Sequence, residues 1–200
     1  MQIFNCEQNS PEWYAVRLGV PTASNFDKIA TKLKNGNYSI ERRKYMLQLI
    51  AERLTGELTN SFVSHDMLRG KELEEKAREL YSFVTNNKVE QVGFILEGKI
   101  GCSPDGLIGA DGLMEIKCKR PENHLNDLLN DVLPEEHKAQ VQGQLMISAR
   151  EWCDFISYCP GLPIFIKRVE KDNEYHNYLN NELNLFIEEL NLLEEKIINL

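Results

Sequence analysis

The sequence predicts an α/β (α+β) fold: a mixed central β-sheet flanked by helices, in a single domain spanning residues 1–200. Three observations carry this. Stretches with apolar residues at helical spacing alternate with short runs rich in β-branched and aromatic residues, the pattern of helices and sheet sharing a core. A Pro/Gly turn at Ser103-Pro104-Asp105-Gly106 leads toward the strand-like Leu113–Cys118, which makes a β-hairpin mid-chain. From about Asn173 to the end, Leu179, Leu183, Phe186, Leu190, Leu193, Ile197 and Leu200 recur at spacings of four and three. That stripe is one long amphipathic helix over residues 173–200, covering either the chain's own core or a subunit.

The other elements follow in order. Ser10 is placed to cap a first helix, with Pro11 at its first position and Glu12 in its first turn. Thr22-Ala23-Ser24-Asn25 opens a second helix, with Ser24 as a candidate cap, and Lys34-Asn35-Gly36-Asn37 is a turn. Glu41–Leu54 carries Tyr45, Leu49 or Ile50, and Leu54 at helical spacing, and Gly56 ends it. Lys71–Phe83 is a helix with Leu73, Ala77 and Leu80 on its apolar face. Lys88–Leu96 and Lys99–Cys102 read as strands around the Glu97-Gly98 turn. The polar stretch between Arg120 and Pro134 receives no assignment. Pro134 seeds a helix over Glu135–Ala149, and Trp152–Tyr158 and Ile164–Val169 are strands around Pro160-Gly161-Leu162-Pro163. No repeat, low-complexity tract or linker divides the chain.

The bulk numbers exclude some functions. No apolar run reaches the roughly 18 residues of a membrane span. The N-terminus lacks a basic segment and a signal-peptide core, so the expected location is the cytoplasm. The five cysteines, Cys6, Cys102, Cys118, Cys153 and Cys159, lack CxxC or Cys/His spacing, and reduced, mostly buried thiols are expected. A net charge of −8 argues against a protein that coats nucleic acid indiscriminately. The charge is uneven: six bases face two acids between Asp27 and Lys44, and Lys117-Cys118-Lys119-Arg120 adds a second basic cluster. A basic groove on an acidic body suits a protein that grips nucleic acid and releases it, whereas ordinary solvated helix faces would show the same counts.

Chemistry centres on the hairpin. Side chains alternate along a strand, so Glu115 and Lys117 share one face and Met114 and Ile116 the other. The turn brings Asp105 alongside. Two carboxylates and an amine at one place suit metal-assisted phosphodiester hydrolysis: carboxylates hold Mg²⁺, which acidifies a water and neutralises phosphate charge, and the lysine orients that water or steadies developing charge. An exposed hairpin with a surface Glu/Lys pair would present the same residues. Glu74 lies one turn before Arg78, which reads equally as an i,i+4 ion pair. Gln140 and Gln144 share one face of their helix. Trp13, Tyr14 and Trp152 suit either the core or base stacking. His65, His124 and His137 have no metal-ligand spacing, though His137 lies near Gln140, and His176 reads as surface.

Asp105…Glu115-x-Lys117 matches the PD-(D/E)xK nuclease signature. Further pieces occur in order: Trp13-x-x-x-Arg17-Leu18-Gly19, Thr22-Ala23-Ser24, Gly70-Lys71-Glu72-Leu73-Glu74, Ala77-Arg78, Cys102–Leu107, Glu115–Cys118 and Ala139-Gln140-Val141-Gln142. With them the chain, from about Glu7 to about Pro160, resembles the lambda-type phage exonucleases (viral recombinases) on a restriction-endonuclease-like core. The resemblance implies Asp105, Glu115 and the Ile116 backbone carbonyl as Mg²⁺ ligands, with Mn²⁺ as a possible substitute. It implies Glu74 at a second metal or a metal-bound water, Lys117 in catalysis, and Gln140 near the scissile or terminal phosphate. It implies a 5′-phosphate pocket of Arg17, Ser24, Ser103 and Gln140. The implied activity is 5′→3′ digestion of one strand of linear duplex DNA from 5′-phosphorylated ends, leaving 3′ overhangs for recombination. The implied partners are double-stranded DNA ends, two further copies in a ring trimer and a single-strand annealing protein, in a bacterial cytoplasm if phage-encoded. A wedge that splits the duplex would come from Ser61–Met67 or Leu68-Arg69-Gly70. The chain is shorter than is usual for the family. Alternatives are a PD-(D/E)xK endonuclease, a Cas4-like end-trimming nuclease, against which the scattered cysteines count, or an inert DNA-end-binding protein on the same fold.

Overall fold

A computed structural model describes residues 1–58 and 65–200, with the side chains of 65–69 and 71 outside that description. The described elements are β1 (Gln2–Phe4), α1 (Pro11–Arg17), a 3-10 turn (Ala23–Asn25), α2 (Phe26–Ala30), α3 (Ile40–Thr55), α4 (His65–Thr85), β2 (Val89–Glu90), β3 (Phe94–Glu97), β4 (Ile100–Cys102), β5 (Gly106–Ile108), β6 (Gly112–Cys118), α5 (Pro121–Asn130), α6 (Glu135–Ser148), β7 (Trp152–Tyr158), β8 (Phe165–Glu170) and α7 (Asn173–Ile198).

The mixed sheet is there, with a second sheet beside it. Among the described residues, β2-β5-β6-β7-β8 form five strands and β1-β3-β4 form three. Only β6 and β7 run parallel within the larger sheet. Parallel neighbours need a long crossover, and α5 and α6 supply it. The expected strand over Lys88–Leu96 is instead two strands, β2 and β3, in different sheets, because β3 pairs with β1 and β2 with β5. The stretch after Arg120 is the helix α5: Pro121 starts it, His124 and Asp127 are buried, and Asp131 ends it in the left-handed conformation.

Local signals explain the rest. Ser10 Oγ accepts the Trp13 N–H at 3.2 Å and caps α1. Gly56 ends α3 with φ of 72°, a value that favours glycine. Thr22 holds the position before the 3-10 turn, so Ser24 lies within that turn and does not cap it.

Helix α6 lies at the centre of the packing. One face meets α2 and α7, where Phe26, Ile29, Leu179, Leu183, Phe186 and Leu190 are buried together. The terminal stripe therefore covers the chain's own core, although Leu200 stays exposed. The other face of α6 meets the large sheet through Val141 and Leu145 against Leu113, Cys153 and Phe155. On the opposite side of that sheet, Ala77 and Tyr81 of α4 pack on Met114, Ile116 and Ile156. No disulfide forms: Cys102, Cys153 and Cys159 are buried and Cys6 and Cys118 partly so. No described helix is long and apolar enough to cross a membrane.

Candidate active site

Strand β6 divides its side chains as the alternation requires: Met114 and Ile116 face α4, while Leu113 shares the α6 side with Glu115 and Lys117. The β5–β6 register pairs Gly106 with Met114, and the Asp105 N–H donates to Met114 O at 3.1 Å, extending the pairing toward the turn. A Cβ at Gly106 would sit 2.2 Å from Val89 Cγ1, so only glycine lets the strands come this close. Asp105 Oδ2 accepts the Ile116 N–H at 2.6 Å, which fixes the carboxylate over β6.

Glu115 is 3% exposed. A buried carboxylate needs donors, and this one has three: Lys117 Nζ and Gln140 Nε2 reach Oε1 and Gln144 Nε2 reaches Oε2, each at 2.6 Å. The two glutamines are one turn apart on α6, so one helix face presents both amides to the strand. Glu74 pairs with Arg78 at 2.6 Å, the i,i+4 contact expected from the spacing. Arg78 Nε also donates to Asp105 O at 3.1 Å and ties α4 to the hairpin.

Charge is crowded here. Burial first, then Glu115 and Glu74, push the Asp105 carboxyl well above the usual carboxylate range. Burial also raises Glu74; Arg78 opposes the rise and Glu115 adds to it. Burial would lower the Lys117 ammonium, but Glu115, Asp105 and Glu74 outweigh it and the net shift is upward. Three carboxylates that destabilise one another, with hard oxygen donors, fit a hard divalent cation. Among the described residues no three His, Cys, Asp or Glu side chains close into a ready-made shell. Glu115 Oε1 is taken by Lys117 and Gln140.

A cavity of about 130 Å³ joins this cluster to a second. Asp105, Glu115 and Gln140 line it together with Arg17, Ser24 and Ser103, so both sets of residues expected from the sequence meet in one space. Arg17 Nη1 donates to Ser103 Oγ at 2.9 Å, and the guanidinium lies 4.0 Å from the centre of the Trp13 ring. Burial pulls the Arg17 pKa below its usual value, and the group remains a cation. Ser24 is exposed and bonds Thr22 Oγ1 at 3.2 Å. A larger cavity, of about 470 Å³, lies along Glu74 and Arg78. Gln8 lines both and donates to Val92 O at 2.9 Å and Pro104 O at 3.0 Å.

Some expectations change. Trp13 is not core: it hydrogen-bonds Gly93 O and stacks on Arg17. Trp152 does pack against the core beside Met114 and Ile156, partly buried, with the Arg168 guanidinium 3.6 Å from its ring centre. The basic stretch is partly spent within the chain, since Arg42 is 4% exposed and pairs with Glu189, and Lys32 pairs with Glu182, while Lys34, Arg43 and Lys44 stay exposed. Lys119 likewise pairs with Asp127. His137 does neighbour the site: it stacks on Phe155, and burial with Lys117 and Lys119 nearby lowers it to about 4. His176 is partly buried and its pKa is lowered by that burial. The side chains of His65, Ser61–Met67, Leu68 and Arg69 lie outside the described residues, and the wedge with them. Sequence reasoning missed Gln8, which no local pattern marks, and the donor role of Gln144, for which the Gln140-x-x-x-Gln144 spacing was the available signal.

The YqaJ-like viral recombinase domain matches residues 12–151. The alkaline exonuclease LHK-Exo from Laribacter hongkongensis superposes with a TM-score of 0.86 at 36% identity, covering 95% of this chain and 97% of that one. The same enzyme in complex with dAMP gives a TM-score of 0.85 at 36% identity, over 94% and 96% of the two chains. A phage-related exonuclease from Haemophilus somnus 129PT shares the fold at 14% identity, with a TM-score of 0.72 over 89% of this chain and 96% of that one. Uncharacterized protein R354 of Acanthamoeba polyphaga mimivirus is 27% identical over 169 residues, and the chain spans 29% of its length. With a hairpin bearing Asp105, Glu115 and Lys117 at the centre of such a fold, the chain belongs to the YqaJ-like viral recombinase family.

Proposed function

We propose that the chain is a Mg²⁺-dependent exonuclease that digests one strand of linear duplex DNA 5′→3′ from 5′-phosphorylated ends, leaving 3′ overhangs for recombination. Membership of a viral recombinase family and 36% identity to an alkaline exonuclease make it an enzyme, a nuclease. The observation that carries the finer reading is the single cavity lined by both Asp105 and Glu115 and by Arg17, Ser24, Ser103 and Gln140. In this reading a cation-binding cluster for the bond to be cut and an anion-binding cluster for the strand end open onto the same space.

In this reading Asp105, Glu115 and the Ile116 carbonyl hold one Mg²⁺, and Glu74 serves a second or a water on the first; Mn²⁺ has the same oxygen preference. When bound, the metal neutralises phosphate charge and lowers the pKa of water. The chain's own residues do the rest. Lys117, now held by Glu115, is released to orient the attacking water or to meet developing charge on the phosphate. Gln140 turns its amide from Glu115 to a phosphate oxygen. Arg17 and the two serines hold the terminal phosphate, for which a guanidinium and hydroxyls are well matched. The dAMP bound to LHK-Exo is a nucleoside 5′-monophosphate, the kind of product such a reaction yields. A ring of three copies, a single-strand annealing partner and a host-cytoplasmic location complete the proposal, as the resemblance to lambda-type exonucleases implies.

The test is digestion of linear duplex phosphorylated at one 5′ end, with Mg²⁺ or EDTA, beside a closed circle. Loss of the phosphorylated strand alone, with Mg²⁺ alone, is the expected result. Nicking of the circle indicates an endonuclease, and no cleavage indicates an inert end-binding protein.

A further inference from the structure

We propose that Trp13 is a positioning residue that makes Ser103 an obligate hydrogen-bond donor, and that this enforces the choice of a phosphorylated over a hydroxyl strand end. The inference rests on the phosphate-pocket reading and adds the residue that sets its selectivity.

Two donors converge on one oxygen. Trp13 Nε1 and Arg17 Nη1 each lie 2.9 Å from Ser103 Oγ. Neither an indole N–H nor a guanidinium N–H can accept, so the hydroxyl accepts in both contacts. The indole N–H is shared with Gly93 O, also at 2.9 Å, and that carbonyl fixes the ring's orientation. A serine hydroxyl has two lone pairs and one proton. With both lone pairs engaged, only the proton remains, and among the described residues nothing accepts it. Ser103 lines the cavity shared with Arg17, Ser24 and Gln140, so that proton is available to whatever enters there.

The consequence is a matter of donors and acceptors. A terminal phosphate is a cluster of acceptor oxygens and takes the Ser103 proton together with Arg17 donors. A 5′-hydroxyl entering the same place can accept that proton on one neutral oxygen only and finds no acceptor on Ser103 for its own proton, so it is held more weakly than a phosphate. Were Ser103 free to rotate, it could accept from a hydroxyl end, and discrimination would weaken. Trp13 also stacks on the Arg17 guanidinium at 4.0 Å, and Phe94 lies 5.5 Å away on that cation, so the same ring aligns both phosphate-facing groups.

Trp13→Phe keeps the ring against Arg17 and removes the indole donor. Steady-state rates on 5′-phosphorylated and 5′-hydroxyl duplexes are compared for wild type, Trp13→Phe, Ser103→Ala and the double variant, with a melting curve for each. The expected result is about a tenfold fall in the phosphate-to-hydroxyl ratio of kcat/KM in Trp13→Phe, carried mainly by KM on phosphorylated ends. Ser103→Ala should lower the ratio similarly, and the double variant no further, because Trp13 acts through Ser103. Equal losses on both ends, a full additional loss in the double variant, or an unchanged ratio in Ser103→Ala would each overturn the proposal; the last needs no Trp13 variant to fold. A wild type indifferent to the end would instead remove the phosphate pocket itself.

Discussion

Gln144 donates to Glu115 Oε2 at 2.6 Å while its own Oε1 is buried without a partner among the described residues. The carboxylate can only accept, so the amide nitrogen must face it and the amide oxygen is left over. An orphaned acceptor costs about 1–3 kcal/mol. What that cost sustains is the orientation of Glu115. Gln144→Leu should reduce cleavage by about 10- to 100-fold, the usual effect of losing a group that aims a metal ligand. Its melting temperature should fall only modestly, since loss of the orphaned oxygen offsets part of the cost of leaving Glu115 Oε2 without its donor. Full activity would show that Gln140 and Lys117 orient Glu115 unaided.

Asp105→Asn should abolish cleavage and yet raise stability in metal-free buffer at neutral pH. The Asp105 carboxyl is pushed up in the fold, so the folded state binds a proton more tightly than the unfolded chain does. Stability is then lost as pH rises from the usual carboxylate pKa, about 4, through the higher folded value, and is intact below both. The amide keeps an acceptor for the Ile116 N–H and carries no charge. Melting curves against pH should show a gain at neutral pH that vanishes below about pH 4, worth about 2–4 °C for each kcal/mol. Equal pH profiles for the two proteins would contradict the crowding of charge at this site.

Arg17→Ala should act at one kind of end. Digestion from 5′-phosphorylated ends should fall about 10²-fold while hydroxyl ends lose far less, because the desolvated cation meets only a terminal phosphate. A rate assay on the two substrates decides it, and equal losses would place Arg17 elsewhere in the mechanism.

His137 should give the fold an acid sensitivity separate from the carboxylates. Its imidazole sits at about 4 in the fold, lowered by burial and by Lys117 and Lys119, with Asp127 opposing. The unfolded imidazole titrates near 6.5, so between those values the unfolded chain holds more protons. Stability is full above about pH 6.5 and declines as pH falls toward 4. His137→Gln should flatten that part of the melting profile, and an unchanged slope would assign the acid loss to other groups.

How far the sequence could be read depended on whether a signal was local. The 105–117 hairpin, the α1 cap at Ser10 and the α7 stripe were legible because turn chemistry, capping and periodicity act over a few residues. The division of Val89–Glu97 between two sheets was not, since strand pairing with β1 and with β5 is decided far along the chain. Helix α5 was hidden by its polar composition: its buried residues, His124 and Asp127, are ones that usually signal surface, and here His124 bonds Ser157 and Pro163 O while Asp127 is ion-paired with Lys119. Arg42 and Lys32 misled for the opposite reason, because Glu189 and Glu182, more than 140 positions away, neutralise them. The candidate site's residue types were readable; the hydrogen bonds that bind Trp13, Gln8 and Gln144 into it needed three dimensions.

The passage of the chain from β4 to β5 has a mechanical consequence. Ser103 directly follows β4 of the small sheet and Asp105 directly precedes β5 of the large one, with the buried Pro104 between them. Two residues of extended chain reach at most about 7 Å, and proline stiffens the span further. Gln8 clamps it from the side through Pro104 O. In an enzyme of the proposed kind, the seat for the strand end and the blade would share one short, rigid bracket. Breathing of either sheet would then carry both ends of the bracket together, so the two would keep their spacing.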